Sequence, residues 1–117
     1  YPCSESFDSE ITNWLKNNKC EYATPVLYRI ISNDIKEVVN KNYDVICFFS
    51  PGGVKSLLEN FPKFKQNGTR IGAFGANTFK AAEDAGLTLN IKAPQPQAPS
   101  MVSALELFLS TYKKNKL

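Results

Sequence analysis

Three short stretches of this chain place small or hydroxylated residues where an apolar run gives way to a helical pattern. They are Ser4-Glu5-Ser6, Ser50-Pro51-Gly52-Gly53 and Gly75-Ala76-Asn77-Thr78. The first turn of a helix carries backbone N–H groups with no intrahelical partner, and the positive end of the helix dipole reinforces them. Such an end can hold a phosphate or carboxylate without a cationic side chain. Ser100, after the proline-rich loop Ala93–Pro99, opens the last helical pattern and offers a fourth start of the same kind. Ordinary capping demands the same residue types, so a single loop does not separate a ligand site from a cap. Several such loops on one sheet edge strengthen the binding reading.

Other chemistries are harder to build from this sequence. It contains no histidine, which removes His-based triads and His metal sites. Gly72-Ala73-Phe74-Gly75 is only G-x-x-G, without the lysine and spacing of a phosphate loop. Ser50 lies in no G-x-S-x-G elbow. Glu5 is isolated, and Glu83-Asp84 falls at a helix end, so paired carboxylates are missing near the loops. Cys3, Cys20 and Cys47 are odd in number and lack metal-ligand spacing; Cys47 sits in the apolar run Val45–Phe49 and reads as a buried thiol. This usage suits a reducing, cytoplasmic compartment. Neither metal nor cofactor is expected. What remains is a site of amides, hydroxyls and one phenol, Tyr28, fitted to bind a polyanion and stabilise developing charge. An aromatic in a strand is ordinarily packing, and the residues alone do not promote Tyr28.

The elements that must carry these loops alternate short β-branched or aromatic runs with helical stretches, the pattern of βαβ units and a parallel sheet. A strand stub at Tyr1–Cys3 precedes a helix over Asp8–Asn18, with Ile11, Trp14 and Leu15 as its apolar stripe. Glu21–Ile31 reads as extended, with Pro25 confining its start to an edge or crossing segment. Ser32-Asn33-Asp34 opens a short helix to Asn40 on Ile35, Val38 and Val39. Asp44–Phe49 is apolar enough to be a central strand buried on both faces. A helix to Asn60, a strand Arg70–Phe74, a helix Asn77–Ala85 stopped by Gly86, and a strand Leu87–Ile91 follow. The last helix is capped by Ser100 and runs to Lys113. Met101, Leu105, Phe108, Leu109 and Tyr112 share one face, and Lys113, Lys114 and Lys116 complement its dipole.

At 117 residues and 43% hydrophobic the chain can bury a core. Fourteen basic against eleven acidic residues, net +3, accommodate an acidic ligand but equally describe an ordinary surface, and set no nucleic-acid field. No segment is long or apolar enough to span a bilayer. Neither a nucleic-acid nor a membrane partner is expected.

Read in order, the segments resemble the uroporphyrinogen-III synthase family. Asp44–Val54 is similar to an apolar strand ending in F-S-P-S-G-V, and Arg70–Thr78 followed by Ala85-Gly86-Leu87 to an I-G-x-x-T-A…A-G segment. Pro94–Ser100 resembles the P-x-x-P-[ST] approach to the last helix; Val26-Leu27-Tyr28-Arg29 resembles a V-Y-x-T linker strand. The resemblance covers essentially the whole chain. It departs at Gly52, where the family has Ser, at Ala76, where Pro is common, and at Phe79, where Ala is.

The resemblance implies two α/β, flavodoxin-like three-layer domains joined by a two-stranded linker, with substrate in the cleft, and both incomplete in this fragment. Residues 1–25 would be the tail of an inserted domain, 26–32 the linker strand, and 33–117 the main part of the other domain. The full protein is expected to be about twice as long and monomeric, and the 117-residue chain inactive alone. The implied reaction closes linear hydroxymethylbilane to uroporphyrinogen III with inversion of ring D and loss of water, without a cofactor, downstream of hydroxymethylbilane synthase. Tyr28 falls on the linker tyrosine as proton donor to the leaving hydroxyl. Ser4, Ser50, Gly52, Gly53, Val54, Gly75, Ala76, Asn77, Thr78 and Ser100 fall on substrate-binding positions. The other reading is a non-catalytic flavodoxin-like module for an anionic small molecule or a protein; a sugar-phosphate isomerase-type domain is disfavoured by the lack of a Ser/Thr-rich phosphate cluster.

Overall fold

The computed structural model describes residues 1–5, 7, 9–35, 37 and 42–116, with 113–116 described by backbone alone. The chain divides into two compact units, Tyr1–Ser32 and Asn33–Leu117. No helix among the described residues is long and apolar enough to cross a membrane.

The first unit is one βαβ turn: β1 (Cys3–Ser4), α1 (Ser9–Asn17) and β2 (Val26–Tyr28). The strands are parallel, with Cys3 opposite Val26 and Ser4 opposite Tyr28. The extended segment expected over Glu21–Ile31 pairs only at Val26–Tyr28, because β1 is two residues long and Pro25 has no N–H to donate. Pro25 contributes its carbonyl instead, accepting from the Cys3 N–H at 3.1 Å. The stripe expected to face inward on α1 is also displaced. Thr12 is the buried residue, while Ile11 is 47% and Trp14 60% exposed. Two short strands are too narrow to cover a helix face more than one residue wide.

The second unit has three parallel strands in the order β3 (Val45–Phe48), β4 (Arg70–Phe74), β5 (Leu89–Ala93). Helices α2 (Pro51–Asn60) and α3 (Ala76–Asp84) pack on one face around Phe48, Val54, Ile71, Ala82 and Leu87. Helix α4 (Met101–Lys116) packs on the other, where Met101 and Ala104 meet Ile91 and Ala93. This is the three-layer arrangement of a flavodoxin-like α/β domain. Alternation assigns the faces: Ile46 and Phe48 point to the α2/α3 core, Val45 and Cys47 to the α4 core. Gly72 is the α4-facing residue in the middle of the sheet. A Cβ there would lie 3.1 Å from Cys47 Sγ and 3.4 Å from Met101 Sδ, so the bare backbone admits α4 close to the sheet.

Several expectations are revised. The segment expected as the central strand, β3, lies at the edge of the sheet with Val45, Ile46 and Cys47 only half-buried; β4 is the middle strand, with Ile71, Gly72 and Ala73 buried. The strand expected at Leu87–Ile91 runs from Leu89 to Ala93. Leu87 is already engaged, because α3 ends in a Schellman motif. Gly86, at φ +76, donates to the Glu83 carbonyl at 2.9 Å and Leu87 donates to that of Ala82 at 3.0 Å. Leu109 of α4 is 46% exposed rather than on the packed face. Asn33–Ile35 are not helical, and the rest of the helix expected to Asn40, with Val38 and Val39, lies outside the described residues, as do Ser6 and the side chains of Lys113, Lys114 and Lys116.

Candidate functional site

Each strand of the three-stranded sheet delivers the chain from its carboxyl end toward a helix start, so Ser50, Gly75 and Ser100 stand at the heads of α2, α3 and α4. Of the residues singled out from the sequence, Ser50, Gly52, Gly53, Val54, Gly75, Ala76, Asn77, Thr78 and Ser100 all belong to these three starts. Ser4 and Tyr28 belong to the first unit, where they are register partners across β1 and β2. Ser4 is buried, and Tyr28 is 59% exposed.

The three starts satisfy their amides in different ways. At α2, Ser50 is extended (φ −156°, ψ 157°) and its Oγ accepts from the Gly53 N–H at 3.3 Å. Pro51 occupies the first helical position, where a missing N–H costs nothing. The Gly52 N–H remains outside the helical ladder. Val54 is 2% exposed and its side chain belongs to the core, so only its main chain can serve a ligand.

At α4 the hydroxyls are used up. Ser103 Oγ donates to the Ser100 carbonyl at 2.9 Å and accepts from the Ser100 N–H at 3.0 Å, while Ser100 Oγ accepts from the Ser103 N–H at 3.1 Å. The two hydroxyls lie 2.9 Å apart. With the Ser103 proton committed to the carbonyl, Ser100 must donate to Ser103. The pair forms a closed reciprocal box, and the Ser100 hydroxyl has no proton to offer a ligand.

At α3 the opposite holds. The N-cap is Gly75, at φ 86° and ψ 150°, with no side chain to cap anything. Its own N–H donates to the Ala93 carbonyl at 2.7 Å, tying the ends of β4 and β5 together. The N–H groups of Ala76 and Asn77 are left outside the ladder. Thr78 is only 3% exposed, yet its hydroxyl makes no hydrogen bond to a described residue. Among the described residues no sealed side-chain polar atom lacks a partner, so the Thr78 oxygen keeps a window to solvent. Buried hydroxyls are ordinarily bonded; this one is held ready and unspent.

Two aromatic residues were not singled out by type. Phe49 and Phe74 directly precede Ser50 and Gly75, and their rings stack with centroids 6.3 Å apart and planes at 24°. They help line an open, apolar depression of about 550 Å³ with Cys47, Met101 and Leu105. The signal was present in the sequence: each helix-opening loop is entered through a phenylalanine. Burial raises the Cys47 pKa above the ordinary thiol value, which keeps it protonated and poorly nucleophilic. The edge therefore offers backbone donors, two uncommitted hydroxyls (Ser50 and Thr78) and an apolar aromatic floor, a combination suited to carboxylates carried on flat rings.

No curated protein matches the chain. A family model described as uroporphyrinogen-III synthase HemD matches residues 1–103, and the chain belongs to that family.

Proposed function

From membership of the uroporphyrinogen-III synthase family, we propose that the protein closes linear hydroxymethylbilane to uroporphyrinogen III, inverting ring D and releasing water. The family implies a tetrapyrrole substrate and lyase-type chemistry in haem biosynthesis. The observation that carries the finer reading is the start of α3: a side-chain-free cap, two unspent amides and the unspent Thr78 hydroxyl. Those groups suit the substrate's carboxylates. Fixed donors hold a flexible chain in one ring-closing geometry, which is where an entropic rate gain arises. Gly52, in place of the family serine, keeps its amide in this set and contributes no hydroxyl.

In this reading Tyr28 passes its phenolic proton to the leaving hydroxyl, which departs as water. The electron-rich pyrroles then close through a spiro intermediate, and the proton lost on rearomatisation returns to the phenolate. No cofactor is required by that balance. Residues 1–25 are then the tail of an inserted domain, 26–32 the linker and 33–117 the main part of the second domain. The narrow two-stranded sheet of the first unit, with Trp14 and Ile11 exposed, supports a larger domain around it, since so small a sheet is marginal alone. A monomeric, cytoplasmic enzyme fed by hydroxymethylbilane synthase completes the proposal.

The test is the isomer produced from hydroxymethylbilane by the full-length protein. Spontaneous closure gives only the uninverted isomer I. Type III product supports the reading, and isomer I alone ends it. Tyr28→Phe is expected to lower kcat about a hundredfold or more, the range of a lost general acid, while still yielding type III. Wild-type kcat in that variant would remove Tyr28 from the role.

A further inference from the structure

The stacked Phe49–Phe74 pair is the largest feature of the sheet edge that the amides and hydroxyls leave unexplained. Phe49 exposes 66% of its surface, at the point where β3 ends and the α2 cap begins. An exposed aromatic in an apolar depression is an unfavourable way to end a strand unless something covers it. The depression, about 550 Å³, is within the range of small-molecule sites. Its rim is polar in one sense only. Each ring is followed in sequence by a helix start, and the groups there (amides of Gly52, Ala76 and Asn77) are donors that suit negative charge.

A purely apolar occupant, such as another protein's helix, would leave those donors desolvated and unmatched. A simple phosphate would leave the rings bare. The ligand that meets both is a flat, π-rich ring bearing short carboxylate arms.

We infer that Phe49, braced by Phe74, is the stacking platform for one pyrrole ring of the substrate, with that ring's carboxylates on the neighbouring helix starts. The inference rests on the synthase reading and deepens it, assigning ring recognition to aromatic faces and carboxylate recognition to the backbone. The bracing matters because a lone exposed phenyl rotates freely, whereas an offset stack at 24° restricts the Phe49 ring before the ligand arrives.

The full-length protein is assayed with hydroxymethylbilane as wild type, Phe49→Leu and Phe49→Tyr, with circular dichroism for folding and sedimentation for oligomeric state. Phe49 is exposed enough that neither substitution should unfold the domain. Phe49→Leu should raise KM about tenfold, as loss of one ring-on-aromatic stack does, with kcat within about twofold. Phe49→Tyr should keep a wild-type KM. An unchanged KM in Phe49→Leu overturns the platform, and so does an equal rise in Phe49→Tyr. A change of oligomeric state in Phe49→Leu does the same, because it assigns the rings to a protein interface. Type III product with a KM indifferent to Phe49 removes the platform alone, whereas isomer I alone from wild type removes the synthase reading with it.

Discussion

The starts of α3 and α4 are built from the same kinds of residue and lie on the same sheet edge, yet they treat their polar groups in opposite ways. At α4, Ser100 and Ser103 bond each other's main chain and each other. At α3, a glycine at φ 86° stands where a capping side chain would be, and a threonine hydroxyl 3% exposed is left without a bond to a described residue. The α4 arrangement satisfies the helix by itself. The α3 arrangement satisfies it only when something arrives. Capping contributes about 1 kcal/mol of stability, so a start that forgoes it has exchanged stability for availability. The contrast separates two roles that residue type alone confounds.

The sharpest way to break the contrast is to remove each hydroxyl and read stability and activity together. Thr78→Val is nearly isosteric and deletes a hydroxyl with no described partner. Thermal unfolding should therefore be unchanged or slightly raised, while kcat/KM of the full-length protein falls about ten- to a hundredfold, the usual loss for a hydrogen bond to a charged group. If Thr78→Val instead lowers stability by more than about 1 kcal/mol with activity intact, the hydroxyl is structural and the two helix starts do not differ as described.

Gly75→Ala probes the same start through its backbone. A φ of +86° with ψ 150° is a region that side chains rarely enter, and forcing alanine into it should cost about 1–3 kcal/mol in denaturant unfolding. No neighbouring atom lies within 4 Å of the added Cβ, so the loss would come from the backbone conformation. A neutral Gly75→Ala would mean the turn relaxes readily, and the geometry of the Ala76 and Asn77 amides would then be adaptable rather than fixed.

Much of the order of elements was legible in the sequence, because alternating β-branched runs and helical spacing are local properties. What resisted reading was set by partners elsewhere in the chain. An apolar run cannot say whether it lies mid-sheet or at an edge, so Val45–Phe48 looked central while Ile71–Ala73 took that place. Leu87 has strand character, but Gly86 recruits it into the α3 terminus and postpones β5 to Leu89. Ile11 and Trp14 have helical spacing toward a core that two short strands do not supply. The helix starts were found from residue type, yet Ser100 and Thr78 look equally available as letters. Only the position of Ser103 commits one of them, and only burial without a partner distinguishes the other. Phe49 and Phe74 were hidden by being apolar in strands, where packing explains them sufficiently.

Ser100→Ala is the complement of the threonine substitution. It removes an acceptor for the Ser103 N–H and should cost about 1 kcal/mol in chemical denaturation, with KM within about twofold of wild type. Ser103→Ala should cost a similar amount, and the double variant less than the sum, since either single change already opens the box. A KM effect in Ser100→Ala as large as that in Thr78→Val would show that the box opens to admit ligand, and the α4 start would then have to be counted with α3.

The smallest effect belongs to the start that lies between these two. Ser50 accepts one bond, from the Gly53 N–H at a long 3.3 Å, and its own proton has no acceptor among the described residues. Half of its capacity is structural and half is available. Pro51 already presets the helical φ and has no N–H of its own to satisfy, which lowers the helix's dependence on the Ser50 hydroxyl. Ser50→Ala should therefore cost less stability than Ser100→Ala, about 0.5 kcal/mol, at the lower end of the capping range. It should also raise KM less than Thr78→Val, by about two- to fivefold, because an exposed hydroxyl bonded to water has less to gain from a carboxylate than a desolvated one. Parallel denaturation and steady-state curves for the three variants order them directly. A ranking in which Ser50→Ala exceeded both neighbours would place the principal donor at α2 and leave the open α3 start without its assigned part.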